Sequence, residues 1–320
     1  MTLQTKKKAI PLKRRTERYG ISSSHLHGIR SHSRLAEILR WGGTAGQLRT
    51  YARREENYNR YIEKGKPGKK DRQIEAPEPR LKEFQKRLLD LLNRIELPEY
   101  LHSARPGYSY LSNSAAHCNA TGCTLTMDID SFYQSVKVQH VARFFEKALG
   151  CSGDVSETMA QLCCCDGHLA TGSPLSPLLS FWAFKEVFDA INHRVKSRGG
   201  VFTLYIDDIG ITGKGFGHTD IIWTTRLLRK SGLTVKESKT RVFHADAPKL
   251  ITGRACRNNV SRAPNKQHRK MRDAQLKLES NPNDPSLRAS VAGLKRHLGL
   301  LDDKNRDQHR SEARQILKAR

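Results

Sequence analysis

Residues 201–212, Val-Phe-Thr-Leu-Tyr-Ile-Asp-Asp-Ile-Gly-Ile-Thr, constrain the fold more than any other stretch of this chain. Short runs of β-branched and aromatic residues flank Asp207-Asp208, which predicts a strand–turn–strand hairpin with two carboxylates at its tip. Adjacent carboxylates repel unless positive charge lies beside them. Hard divalent cations take one or two carboxylates and leave their other positions to water and phosphate oxygens. An acidic pair alone is more often an ordinary turn, so the rest of the chain has to supply the remaining parts of a metal site.

The charge balance narrows the partner. Lys and Arg number 57 against 32 Asp and Glu, a formal net charge of +25 over 320 residues. Such an excess points to a polyanion. No stretch approaches the run of about 18 apolar residues that spans a bilayer, so nucleic acid is the expected partner and no membrane contact is expected. The basic N-terminus (Lys6, Lys7, Lys8, Lys13, Arg14, Arg15, Arg18) lacks the apolar segment of a secretory signal. The seven cysteines include the run Cys163-Cys164-Cys165, which fits neither a disulfide framework nor zinc-ligand spacing. They read as reduced, mostly core thiols in a cytoplasmic protein.

Along the chain, residues 21–64 show helical periodicity (Leu35, Ile38, Leu39, then Leu48, Tyr51, Tyr58). A basic Gly/Pro turn over 64–70 separates two predicted short strands. Residues 80–97 read as an amphipathic helix ended by Pro98. Residues 102–117 read as a polar loop running into a helix. Thr124–Tyr133 reads as a strand carrying Asp128 near its end, a third acid that can join Asp207 and Asp208 around two metal ions. Asp130 is expected to be a solvated or loop-capping acid. The turn-rich stretch 167–177 opens an apolar helix, with Pro177 in its first turn. Residues 254–320 read as basic and helical, with breaks at Pro282 and Pro285.

The order of these parts resembles the palm of reverse transcriptases, and most closely the retron-type bacterial enzymes. The resemblance covers about residues 64–260. It rests on Arg72-Gln73-Ile74-x-x-Pro77, Asn113-Ser114-Ala115-Ala116-His117, the strand acid Asp128, Gly172-x-Pro174-x-Ser176-Pro177, Tyr205-Ile206-Asp207-Asp208, Gly232-Leu233-Thr234 with Lys239-Thr240, and Ile251-Thr252-Gly253. There are departures. Ala170-Thr171-Gly172 stands where the family usually has Pro-Gln-Gly, Ile206 where retron enzymes usually have Ala, and Lys236 where Asn is frequent.

The resemblance implies an α+β right-hand polymerase fold with fingers, a palm built on an antiparallel sheet and a helical thumb. The corresponding regions are a basic arm and accessory helices over 1–63, fingers and palm over 64–245, and a thumb gripping template–primer over 246–320. It implies RNA-directed DNA polymerase activity with two Mg²⁺, or Mn²⁺ as the alternative ion, held by Asp128, Asp207, Asp208 and the Ile129 carbonyl. Lys239 would protonate or screen the leaving pyrophosphate. Arg72, assisted by Lys69 or Lys70, would clamp the triphosphate, Tyr133 would exclude a ribose 2′-hydroxyl, and Thr171 and Gly172 would line the nucleotide. Asn113, His117, Tyr205, Thr252, Gly253 and Arg254 would contact nucleic acid. Retron membership further implies a cognate structured non-coding RNA as template, priming from an RNA 2′-hydroxyl, deoxynucleotide substrates, a multicopy single-stranded DNA product, and an effector protein in anti-phage defence. The competing readings are a group II intron-like reverse transcriptase and a non-catalytic RNA-binding scaffold derived from a palm.

Overall fold

The computed structural model describes residues 18–65, 70–257 and 260–301. In chain order the elements are α1 (His32–Leu39), α2 (Ala45–Ala52), β1 (Tyr58–Glu63), β2 (Arg72–Pro77), α3 (Pro79–Leu92), α4 (Tyr110–Cys118) and β3 (Cys123–Asp128). There follow α5 (Phe132–Ser135), α6 (Val138–Arg143), α7 (Gly153–Cys163), β4 (Cys164–Cys165), β5 (His168–Leu169), α8 (Ser176–Ala183) and α9 (Lys185–Ser197). The remainder is β6 (Val201–Tyr205), β7 (Asp208–Gly213), α10 (His218–Lys230), β8 (Arg241–Phe243), β9 (Lys249–Ile251), β10 (Arg254–Arg257), β11 (Val260–Arg262), α11 (Asn265–Ser280) and α12 (Pro285–Leu301). Two units interleave along the chain: 1–98 with 131–185, and 99–130 with 186–320.

In the first unit, β1 and β2 form an antiparallel pair running from Tyr58 opposite Pro77 to Glu63 opposite Arg72. Lys64, just after β1, pairs with Asp71, just before β2, at 2.9 Å. The accessory helices form as their periodicity predicts, burying Leu35, Ile38, Leu39, Leu48 and Tyr51, but Tyr58 opens β1. The predicted helix over 80–97 ends earlier, at Leu92. Beyond it Tyr19 donates to the Arg94 carbonyl and accepts from the Glu96 N–H, drawing that backbone into a bridge instead of a further helical turn. All seven cysteines are free thiols, six of them buried.

The second unit is built on a four-stranded antiparallel sheet in the order β6-β7-β3-β8. Its rungs alternate in character, as a period of two requires. Leu125, Ile211 and Phe202 share one rung, and Met127, Ile209 and Leu204 share another. These six side chains are buried and give an apolar face. Tyr100 lies against Phe202 (centroids 5.1 Å apart) and donates to Asp189, which links α9 to that face. The intervening rungs are polar or small except at Val201: Thr124, Thr212 and Val201; Thr126, Gly210 and Thr203; then Asp128, Asp208 and Tyr205. On this face sits α4, started by a Ser109–Ser112 capping box.

Within the stretch expected to be helical, residues 254–257 and 260–262 are strands. With β9 they form a second antiparallel sheet, β9-β10-β11. The reason is alternation: Arg254, Cys256 and Ser261 point inward, while Arg257, Val260 and Arg262 are exposed. Helicity resumes at α11, which packs with α12. Residues 1–17, 66–69, 258–259 and 302–320, and with them most of the basic arm and Lys69, lie outside the described residues.

Candidate active site

The predicted hairpin forms. Tyr205 pairs with Asp208, leaving Ile206 and Asp207 as a two-residue turn. Ile206 has φ +59°, a region costly for a β-branched residue. Its N–H is held by the Ser103 hydroxyl at 2.9 Å. Strain of this kind persists where surrounding contacts over-determine the backbone.

Register then brings the third acid in. Asp128, the last residue of β3, lies directly opposite Asp208, the first of β7. The backbone continues the ladder past the strand end, with the Ile129 N–H donating to the Asp207 carbonyl at 2.9 Å. On the other side of β3, Lys236 N–H donates to the Asp128 carbonyl and Asp130 N–H to the Thr234 carbonyl, both at 2.8 Å. This pairing delivers Lys239 to the acids, where its ammonium donates to Asp128 Oδ2. Asp130 is half-exposed and pairs with Lys236 at 3.2 Å, as a solvated acid should.

The electrostatics follow from this geometry. Burial, followed by the charges of Asp207 and Asp128, pushes the Asp208 carboxyl up to about 7, against a smaller opposing pull from Lys239. The hydrogen bond to Asp128 raises the Lys239 ammonium above its ordinary value. A carboxylate cluster in which burial and then neighbouring charges raise a member this far has the donor chemistry of a hard divalent cation site. A cavity of about 450 Å³ opens beside it, lined by Asp128, Asp208, Lys239, Arg241, Thr252 and Gly253.

Three residues expected on the nucleic-acid surface lie in the interior. His117 is fully buried: its Nδ1 shares a hydrogen bond with the Thr212 hydroxyl (2.9 Å) and its Nε2 with the Thr203 hydroxyl (2.7 Å). It therefore ties α4 to the two strands of the acidic hairpin. Asn113, 1% exposed, donates to the Thr252 hydroxyl at 3.3 Å, and Thr252 donates to the Tyr110 carbonyl at 3.0 Å. Arg254 is 0% exposed. Thr252 and Gly253 form the two-residue turn between β9 and β10, both at positive φ (43° and 79°), the geometry of a type I′ hairpin turn. Glycine suits the second position, and the hydroxyl of Thr252 anchors the first to α4. Tyr205 stays half-buried on the Asp128–Asp208 rung.

The first unit carries the remaining candidates. Arg72 opens β2 and is exposed. Tyr133 lies on α5, half-buried, with its ring 6.3 Å from Phe132. Thr171, expected to face a nucleotide, is turned to the protein: its hydroxyl donates to the Gln73 carbonyl (2.9 Å) and accepts from the Glu75 N–H (3.1 Å). Gly172 donates to the Glu75 carbonyl at 3.2 Å. A second set of metal-capable atoms, from Glu75, Cys165 and Asp166, lies within 4.8 Å of one another. Arg60 already neutralises that Asp166 through two hydrogen bonds of 2.7 and 3.0 Å.

Sequence reasoning missed Thr124, Thr203, Thr212, Gly210, Ser103 and Lys236. The usable signal was Thr and Gly at every second position of strands whose other positions are apolar, which marks a face that receives a polar side chain.

A family model described as "Reverse transcriptase (RNA-dependent DNA polymerase)" matches residues 63–279. Among curated proteins, the chain is 29% identical over 220 residues to the retron Se72 reverse transcriptase of Salmonella heidelberg, covering 66% of this chain and 58% of that protein. It is 25% identical over 197 residues to the retron Ec86 reverse transcriptase of Escherichia coli, covering 60% of each. It is 25% identical over 287 residues to the retron Mx65 reverse transcriptase of Myxococcus xanthus, covering 82% of this chain and 66% of that one. The alignments thus span about three fifths of the first two relatives' length.

Proposed function

The chain belongs to the reverse transcriptase (RNA-dependent DNA polymerase) family and is of the retron type, and from that premise we propose that it is an RNA-directed DNA polymerase. Its template in this reading is a cognate structured non-coding RNA, its primer an RNA 2′-hydroxyl, and its product a multicopy single-stranded DNA that serves anti-phage defence with an effector protein. The observation that carries the reading is the Asp128–Asp208 rung with Asp207 at the adjoining turn.

Asp128, Asp207 and Asp208, with the Ile129 carbonyl, are the residues that would hold divalent cations, Mg²⁺ in the first instance. Such ions supply activation of the primer hydroxyl and neutralisation of the leaving pyrophosphate. The protein's own part is positional. The β3–β7 register fixes Asp128 against Asp208, and Ser103 and His117 hold the hairpin that presents Asp207. Lys239 stands at the acids as a counter-charge and proton donor for the pyrophosphate. Arg72 offers a guanidinium fork to triphosphate oxygens. Tyr133 bars a ribose 2′-hydroxyl. The net charge of +25 supplies affinity for RNA and for the growing duplex.

The test is nucleic acid from cells expressing the gene with its flanking DNA, beside an Asp207→Ala/Asp208→Ala control. A discrete single-stranded DNA covalently joined to RNA, absent from the control, is the expected result. If none appears, the purified protein is given a primed RNA, deoxynucleotides and Mg²⁺. Extension there retains the polymerase and drops the retron product; no extension overturns the enzyme reading in favour of an RNA-binding scaffold.

A further inference from the structure

β2 has one edge paired with β1 and one that no strand covers among the described residues. The backbone groups on that second edge are those of Gln73 and Glu75, and the loop before α8 meets three of these four. The Thr171 hydroxyl donates to Gln73 O and accepts from Glu75 N, while Gly172 N donates to Glu75 O. One hydroxyl thus does what the N–H and C=O of a neighbouring strand residue would do.

Two further features lock the arrangement. The Glu75 side chain, 2% exposed, folds back on the loop: Oε2 accepts the Thr171 N–H at 3.1 Å and Oε1 lies 3.5 Å from His168 Nε2. A Cβ on Gly172 would come within 2.7 Å of the Glu75 carbonyl and 2.9 Å of Ala76 Cα, so only glycine permits this approach. The loop's far side is fixed as well, by Ser176 to the Ala170 carbonyl (2.6 Å) and Ser173 to Gln85 (2.7 Å).

We propose that Thr171 is a positioning residue that fastens the loop ahead of α8 to strand β2, so that Arg72 and Gly172 meet the incoming nucleoside triphosphate as one rigid element. The proposal rests on the polymerase reading above and adds the origin of nucleotide-site rigidity in this chain. Valine at 171 keeps the shape and removes both hydroxyl bonds; serine keeps the bonds.

The experiment uses the full chain and two readouts. The first is hydrogen exchange at the amides of Glu75, Thr171 and Gly172. Thr171→Val is expected to speed exchange about tenfold or more, the order expected from losing the two hydroxyl hydrogen bonds, and Thr171→Ser to leave it near the unmodified rate. The second is primer extension on RNA with varied deoxynucleoside triphosphate. Thr171→Val is expected to raise KM about five- to tenfold with kcat within about twofold, the signature of lost binding shared by ground and transition states, with Thr171→Ser restoring both. Unchanged exchange in Thr171→Val overturns the fastening. Faster exchange with unchanged KM overturns the positioning role while leaving the polymerase reading intact. No extension by the unmodified chain overturns the polymerase reading and this proposal with it.

Discussion

The imidazole of His117 occupies the space that a Cβ on Gly210 would need. The close approach lets one buried ring bridge Thr203 and Thr212 on the two strands that carry the acidic turn. Gly210→Ala must therefore displace either the ring or the strand. Overpacking of this kind costs about 1–3 kcal/mol. We expect a lower urea midpoint with an unchanged slope, and a loss of primer extension larger than the stability loss explains, because the displaced strand begins at Asp208.

Burial also sets the pH dependence of folding. Desolvation, and then the nearby charges of His102 and Lys249, holds the His117 imidazole down to about 3. His102 is held down to about 4 by burial and Arg105. Below pH 6.5 the unfolded chain binds protons that the folded chain refuses until those lower values. Stability therefore falls as the pH drops from about 6.5 toward 3 and is insensitive to these groups above that window, by at most about 1.4 kcal/mol per pH unit per histidine. Urea titrations at pH 7.5 and 5.0 check this, and His117→Gln should show a shallower difference between the two.

The acid cluster should be unfavourable to folding in the absence of a cation. The Asp208 carboxyl is raised in the folded state, so its contribution is lost as pH rises from the unfolded carboxylate value toward 7. Asp208→Asn is then expected to stabilise the chain in chelator-containing buffer by about 1–2 kcal/mol, more at pH 8 than at pH 5. Added Mg²⁺ should raise the melting temperature of the unmodified chain and leave the variant nearly unmoved. A melting temperature that falls in the variant at pH 8 would contradict the cluster electrostatics.

Ile206 stores strain at the same turn. Its φ of +59° suits glycine, so Ile206→Gly should gain about 1 kcal/mol after the entropy cost of glycine in the unfolded chain. Equilibrium denaturation measures the gain. Removing the Ser103 hydroxyl with Ser103→Ala should act in the opposite direction, since it frees the N–H that holds the strained residue.

Much of this was legible in the sequence because it is local. A period of two around Asp207-Asp208 dictates a hairpin with its acids at the turn, and the run ending at Asp128 dictates a strand that presents a carboxylate. Short-range pattern also placed α4, the entry to α8, and the β1 and β2 strands. It failed at 254–257 and 260–262, where a dense run of basic residues hid the alternation of strands, and at Leu92, where Tyr19 bonds to the backbone beyond the helix end.

What the sequence by itself determined was therefore the set of chemical groups and the local elements that carry them: three acids, a lysine downstream, and a strongly basic chain to meet a polyanion. The tertiary structure alone decided which groups meet. Asp128 faces Asp208 across 80 residues of chain because strand order and register put them on one rung, and Lys239 reaches Asp128 because the segment at 232–240 pairs beyond the end of β3. His117, Asn113 and Arg254 turned from surface to interior, and Thr171 from nucleotide to backbone, for one physical reason. Whether a polar side chain faces solvent or protein depends on which backbone and hydroxyl groups packing leaves in need of a partner, and that is a property of the folded chain, not of residue type.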